Sequence, residues 1–286
     1  MGKIWGWISN SDSLHFNKYV TKNDKKNDKN TTNKNLFSYP TLLRGLKARA
    51  IDEVKLRSLS SKAHLALQSQ DRVQMAQLAQ EMSRVAYGRG VTAQKRQVSL
   101  ERFGCVEWTP LVMDLIADFA SGRGVVEIGA GNGQWSRRLS DMGCDVVAFD
   151  DMSGVPLNRN LYHGGTKPNR DHFFSAVRKG DSSVFRGGSG SGYVGEGGRV
   201  LLIVYPDRSG WALETVTAWM KQSTDNTAMV YVGEGRNGAN ACEGFFDLLE
   251  GEGWRVVRVE DLGCKGGKGY EKAFFMERVV TDEGSE

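Results

Sequence analysis

The 286-residue sequence predicts a doubly wound α/β fold built on a mostly parallel sheet. Three observations carry that expectation. After Pro110, short apolar runs alternate with helix-length segments. One such run, Val125-Val126-Glu127-Ile128, leads directly into Gly129-Ala130-Gly131-Asn132-Gly133. The next, Val146-Val147-Ala148-Phe149, ends in Asp150-Asp151. Strands alternating with helices give a parallel, twisted sheet covered on both faces.

The elements follow in order. The pattern predicts a helix over Leu111–Phe119, a strand over Gly124–Ile128, a helix over Gln134–Met142 and a strand over Asp145–Phe149. Strands at Val200–Tyr205 and Ala228–Val232 bracket a helix over Gly210–Gln222. A helix near Glu243–Glu250 precedes strands at Trp254–Val259 and about Glu271–Arg278. Two loops interrupt this order, one over Ser153–Ser175, rich in Asn, Gly and Pro, and a glycine tract over Arg186–Gly192. The second opens no helix and reads as a linker.

The N-terminal third is different. Residues 1–40 include the Lys/Asn-rich stretch Lys18–Asn35, too polar to bury a core, and are expected to be poorly ordered. Residues 41–100 recur in Leu, Ala, Val and Met at helical spacing and read as a helical extension of two helices, broken near Ser58–Ser61. Residues 101–286 form the main domain.

Composition narrows the function classes. A net charge of +4 falls short of the charge density of dedicated nucleic-acid binders. Cys105, Cys144, Cys242 and Cys264 lie far apart, with no Cys-x-x-Cys pair, and read as reduced thiols. His163 and His172 have no metal spacing, so no metal is expected. No apolar run reaches a membrane span, and no secretory, myristoylation or transit pattern stands at the start, which sets a cytoplasmic expectation with an organelle left open.

The glycine turn carries the chemistry. Gly129, Gly131 and Gly133 let the chain turn sharply at a strand's carboxyl end and let a ligand approach bare backbone, where a helix start offers N–H groups. A dinucleotide site wants Gly-x-Gly-x-x-Gly, but position 134 is Gln, which argues against an NAD-dependent oxidoreductase. Asp150 or Asp151, about 20 residues past the glycines, suits a pair of ribose hydroxyls.

The Glu127-x-Gly129-x-Gly131-x-Gly133 pattern resembles the first motif of class I S-adenosylmethionine-dependent methyltransferases. The resemblance covers about Phe103 to Arg278 and implies seven strands, the last antiparallel. It implies S-adenosyl-L-methionine as cofactor, held by Glu127, Gly129, Ala130, Gly131, Gly133, Trp135, Asp150, Asp151 and Asp181. In Ile203-Val204-Tyr205-Pro206-Asp207 it places Tyr205, Pro206 and Asp207 at the position facing the transferred methyl group. There Tyr205 and Asp207 replace residues of the Asp/Asn-Pro-Pro-aromatic pattern of nitrogen-directed enzymes, and only Pro206 is kept. A methyltransferase-like group of bacteria, fungi and algae is similar both there and at Val230–Gly235. Phe103–Pro110 resembles that group's segment over the cofactor.

Trp108, Trp135, Tyr205 and Trp211 are candidates to face a sulfonium, and Asp207 or Glu234 to take a proton. The acceptor is not named by the sequence. It can be a small molecule, protein or RNA, the last through the Lys18–Lys34 tail and the Arg44, Lys47 and Arg49 face. A binding or scaffold protein that kept the fold and lost transfer is the alternative. Oligomeric state is not legible.

Overall fold

The computed structural model describes residues 40–87, 93–153, 170–186, 197–236, 238–262 and 271–279. The Lys/Asn-rich tail, most of the Ser153–Ser175 loop and the linker after Arg186 lie outside the described residues, as do His163 and Cys264.

Seven strands form one sheet: β1 (Val125–Ile128), β2 (Val146–Asp150), β3 (Arg178–Lys179), β4 (Val200–Val204), β5 (Ala228–Gly233), β6 (Trp254–Asp261) and β7 (Lys272–Arg278). Their order is β3-β2-β1-β4-β5-β7-β6. Strands β3, β2, β1, β4 and β5 pair in parallel, whereas β7 runs antiparallel to both neighbours. This is the sheet expected from the sequence, with the last strand reversed.

Seven described α-helices, with a short 3-10 helix at Ser182–Phe185, complete the fold: α1 (Pro40–Gln68), α2 (Arg72–Tyr87), α3 (Ala93–Phe103), α4 (Pro110–Ala120), α5 (Gln134–Asp141), α6 (Trp211–Gln222) and α7 (Glu243–Gly251). Thr109 caps α4, its hydroxyl accepting from Val112 N–H at 3.2 Å, with Pro110 in the first turn where a missing N–H costs nothing.

Alternation along the strands splits the core in two. Val126, Leu201, Met229 and Phe274 join α6 and α7 on one face. Val125, Leu202, Val230 and Phe275 join α4 and α5 on the other. All eight are at most 1% exposed. Each such side chain contributes about 1.5–3 kcal/mol by leaving water, so the sheet is held from both sides.

The N-terminal helices depart from expectation in one detail. The break falls at Ser69-Gln70-Asp71, not near Ser58–Ser61. Gln70 takes the left-handed conformation, φ 57°, and Asp71 accepts from Gln74 N–H at 2.9 Å to start α2. Ser61 instead donates its hydroxyl to Arg57 C=O within the helix, at 3.1 Å, so the serines do not interrupt it. Leu59, Ala63, Ala66, Leu78 and Val85 close a small separate core between α1 and α2. Among the described residues no helix is long and apolar enough to cross a membrane.

Candidate functional site

In an open parallel sheet, ligands bind outside the strands' carboxyl ends where the order reverses. Here the order reverses between β1 and β4. At that place lies a cleft of about 430 Å³. Ile128 and Gly129 line it from β1, Asp150, Asp151 and Ser153 from β2, and Gly180, Asp181 and Ser182 from β3. Asp207, Ser209, Trp211, Glu214 and Thr215 close it from the end of β4 and the first turn of α6. The lining holds five carboxylates and no Lys or Arg.

The glycine turn is built as the sequence suggested, although not every glycine serves the same end. Gly129, Gly131 and Gly133 all have positive φ, 73°, 58° and 74°. A Cβ on Gly129 would lie 2.6 Å from the Trp211 ring, so that glycine lets an indole close over the turn. A Cβ on Gly133 would meet Val177 Cγ2 at 2.5 Å and Phe174 Cβ at 2.6 Å, so this glycine admits the 170s loop rather than a ligand. The Asn132 carbonyl accepts from Phe174 N–H at 3.0 Å and holds the same loop. Ala130 N–H donates to Phe149 C=O at 3.0 Å, tying the turn to β2.

Asp150 is the hinge of the site. One carboxylate oxygen accepts from Gly131 N–H and the other from Met152 N–H, both at 2.8 Å. The carboxylate therefore fixes the turn, with a lone pair left on each oxygen for a hydroxyl. Asp151 accepts from Ser153 N–H at 2.8 Å and is exposed. Asp181 accepts from Ser183 N–H at 2.8 Å, and that hydrogen bond holds its carboxyl below the usual range. The strand before it is only two residues long, yet it sets Asp181 on the cleft wall.

Glu127 takes another place. Period two sends it to the face opposite Ile128, toward α5, where it is 2% exposed and accepts a short hydrogen bond from the Ser136 hydroxyl. Burial pushes its carboxyl up to about 7, against the pull of the Ser136 bond, and the neighbouring Asp150 adds to the rise. It does not line the cleft.

Trp135 is likewise core. Its indole N–H donates to Val106 C=O at 3.1 Å and its ring is 3% exposed. Gln134, which breaks the dinucleotide pattern, donates to the Leu100 and Glu101 carbonyls at 3.1 and 3.3 Å. It thereby satisfies the carboxyl end of α3 and docks that helix beside the glycine turn. Trp108 packs edge-to-face on Phe103 with Arg138 over its ring at 5.6 Å. Of the four aromatics considered for a sulfonium, Trp211 is the one that lines the cleft.

At the end of β4, Tyr205 has φ 52°, a left-handed conformation at a non-glycine residue. Its N–H still pairs with Val232 C=O at 2.7 Å. The Pro206 carbonyl accepts from Asn240 Nδ2 at 3.0 Å and from Ala241 N–H at 3.2 Å. Asp207 accepts from Ser209 N–H at 2.9 Å and presents its exposed carboxylate to the cleft. Glu234 is 6% exposed and accepts from Ala239 N–H at 3.1 Å, while its own N–H donates to Asn240 Oδ1 at 3.0 Å. It closes the loop after β5 and is not among the cleft residues.

The structure thus brings Gly129, Asp150, Asp151, Asp181 and Asp207 together and sets Glu127, Trp135 and Glu234 apart. Glu214 and Thr215 complete the lining and were not singled out from the sequence. Their signal was their place in the first turn of the helix after β4.

No family model matches the chain, and no curated protein matches it. Solved structures similar to it include these three. One is the magnesium protoporphyrin IX methyltransferase of Synechocystis with bound S-adenosylmethionine, at 15% identity and TM-score 0.37, covering 68% of this chain and 89% of that one. Another is the Pyrococcus abyssi tRNA (uracil-54, C5)-methyltransferase with S-adenosylhomocysteine, at 14% and 0.37, covering 58% and 37%. The third is a ribosomal protein L11 methylase of Lactobacillus delbrueckii, at 13% and 0.36, covering 59% and 77%. The fold assignment stands on the strand pairing itself, a seven-stranded sheet with β7 reversed between β5 and β6.

Proposed function

We propose that the chain binds S-adenosylmethionine in the cleft and transfers its methyl group to an acceptor. The observation that carries this reading is Asp150 locking the Gly131 N–H at the point where strand order reverses, with Asp181 on the same wall.

The lining fits such a cofactor. Asp150 and Asp151 offer acceptors for vicinal hydroxyls, and Asp181 offers one for an amino group, with the Ser182 backbone beside it. The Trp211 ring gives a flat wall. Five carboxylates facing one cleft attract a cation.

When bound, the cofactor supplies an electrophilic methyl group on a sulfonium. The chain's own part is alignment and exclusion of water. Trp211 covers the turn, and Asp207 stands where it can take a proton from the acceptor. The Pro206 carbonyl already accepts two hydrogen bonds, which weighs against a planar amine gripped there as in nitrogen-directed enzymes. The altered Tyr205-Pro206-Asp207 favours, as the second reading, a binding protein that retained the cleft and lost transfer.

Calorimetric titration with S-adenosylhomocysteine tests the first step. Gly131→Val and Asp150→Ala are each expected to weaken binding at least tenfold. Unchanged affinity in both folded variants removes the assignment. Transfer of labelled methyl from the cofactor to any component of a cell extract separates the enzyme from the binding protein.

A further inference from the structure

The chain's modest net charge hides a strong partition. Residues 1–103 carry 19 Lys and Arg against 8 Asp and Glu, and residues 104–286 carry 19 against 26. The first part is therefore +11 and the second −7. Helices α1 to α3 themselves carry 11 Lys and Arg against 4 Asp and Glu, +7, whereas the sheet domain with its carboxylate-lined cleft is negative.

We propose that the α1–α3 segment is a docking surface for a single strand of nucleic acid, gripped through its phosphates. Helix α1 has 29 residues and is about 43 Å long at ~1.5 Å per residue. It carries Arg44, Lys47, Arg49, Lys55, Arg57 and Lys62 against only Asp52 and Glu53. Lys55, Arg57 and Lys62 are exposed, as are Arg72 and Arg84 on α2 and Lys95 and Arg102 on α3. Lys55 reaches Glu81 at 3.4 Å, but both side chains stay half in solvent, so the pair is weak and exchangeable.

Charge complementarity selects a polyanion, and the described apolar pattern weighs against a membrane surface. Exposed Val54 and Leu65 share one helix face with Ser58 and Ser61 between them, so the described part of α1 from Val54 on has no continuous apolar stripe to bury in lipid. The connection to the cleft runs through α3. Its final carbonyls are held by Gln134, the residue that follows the glycine turn. Phosphates repelled by the cleft's carboxylates settle on the helices, while an uncharged base, taken out of its stack, is the part that an acidic cleft admits.

The proposal rests on the charge partition and not on the cofactor. The probe is a fluorescein-labelled 20-nucleotide oligouridylate added to the full chain. Binding is expected at low salt. Four phosphate contacts predict a loss of about fiftyfold between roughly 50 and 200 mM salt. The triple variant Lys55→Glu/Arg57→Glu/Lys62→Glu should bind at least tenfold more weakly with its S-adenosylhomocysteine affinity unchanged. Lys221→Glu/Arg255→Glu, on the sheet domain, should bind as the parent does. Circular dichroism verifies folding, and the milder Lys55→Gln/Arg57→Gln/Lys62→Gln set serves if the reversal unfolds α1. No binding at low salt, an unaffected triple variant, or equal affinity for anionic vesicles or polyglutamate overturns the proposal. A chain that binds the strand and not S-adenosylhomocysteine sinks the methyl-transfer reading alone. The reverse result sinks this one alone.

Discussion

Two turns flank the switch point, and they solve one backbone problem with different residues. The turn after β1 needs three left-handed positions and fills each with glycine, at residues 129, 131 and 133. The turn after β4 needs one and fills it with Tyr205. Glycine adopts that conformation without steric cost, whereas a residue with a Cβ pays on the order of 1 kcal/mol. The first turn is relaxed, and the second is held by its surroundings. Asn240 and Ala241 both donate to the Pro206 carbonyl, and the loop closed by Glu234 braces Asn240. Backbone strain of this sort tends to sit where function needs a fixed geometry. The pairing of a relaxed turn under the proposed cofactor with a strained one beside the proposed acceptor fits that tendency.

The largest expected effect comes from putting a side chain where the relaxed turn has none. Gly133→Val would collide with Phe174 and Val177 and force a positive φ on a branched residue. A loss of about 3 kcal/mol or more in urea unfolding is expected, since overpacking and the backbone penalty add. A smaller loss than 1 kcal/mol would mean that the 170s loop yields.

Next is Glu127, under the same turn. Its folded carboxyl titrates at about 7, above the ordinary 4.5. Between those values the folded chain keeps a proton that the unfolded chain has released, so stability falls as pH rises through that window and levels off above it. The drop is on the order of 3 kcal/mol. Glu127→Gln should flatten the slope between pH 5 and 7 while its carboxamide oxygen still accepts from Ser136. A persisting slope in the variant assigns the effect to another group.

On the strained side, Asn240→Ala removes one donor to the Pro206 carbonyl and the acceptor for Glu234 N–H. A cost of about 1–3 kcal/mol follows from the unsatisfied buried groups, and labelled-methyl transfer should fall more than S-adenosylhomocysteine affinity. The smallest effect is expected for Tyr205→Gly. Relief of the left-handed strain offsets lost packing, so stability should change by less than about 1 kcal/mol, against the ~3–5 typical of deleting a core aromatic. A full-sized loss would show that the tyrosine is held by ordinary burial and not against its preference.

The same contrast marks what the sequence could say. Six of the seven strands, the glycine turn and the acid ending β2 were legible because continuous apolar runs and glycines report local backbone needs directly, whereas the two polar residues of β3 gave no run to read. Asp181 was named through the family resemblance alone, since its strand has only two members and leaves no apolar run to read. Glu127 and Trp135 entered as site residues through the resemblance and Glu234 as an acid at a strand end, and none of these signals says which face a side chain takes. Only pairing fixes the face, and it set Glu127 on Ser136, Trp135 on Val106 and Glu234 on Ala239. The Ser58–Ser61 break failed for a related reason: a serine that bonds back to its own helix is invisible in composition. Tyr205 was singled out from the sequence, but its left-handed backbone carried no signal, since strain is a property of neighbours.

The Trp211 indole over Gly129 has a practical consequence. Of the chain's seven tryptophans, Trp135, Trp219 and Trp254 are shut in the core, whereas Trp211 lies on the cleft wall. Occupancy of the cleft should therefore register as a change in intrinsic emission, and a Trp211→Phe chain provides the blank. The molecule carries its own optical gauge, one that reads ligand entry without a label and before any acceptor is known.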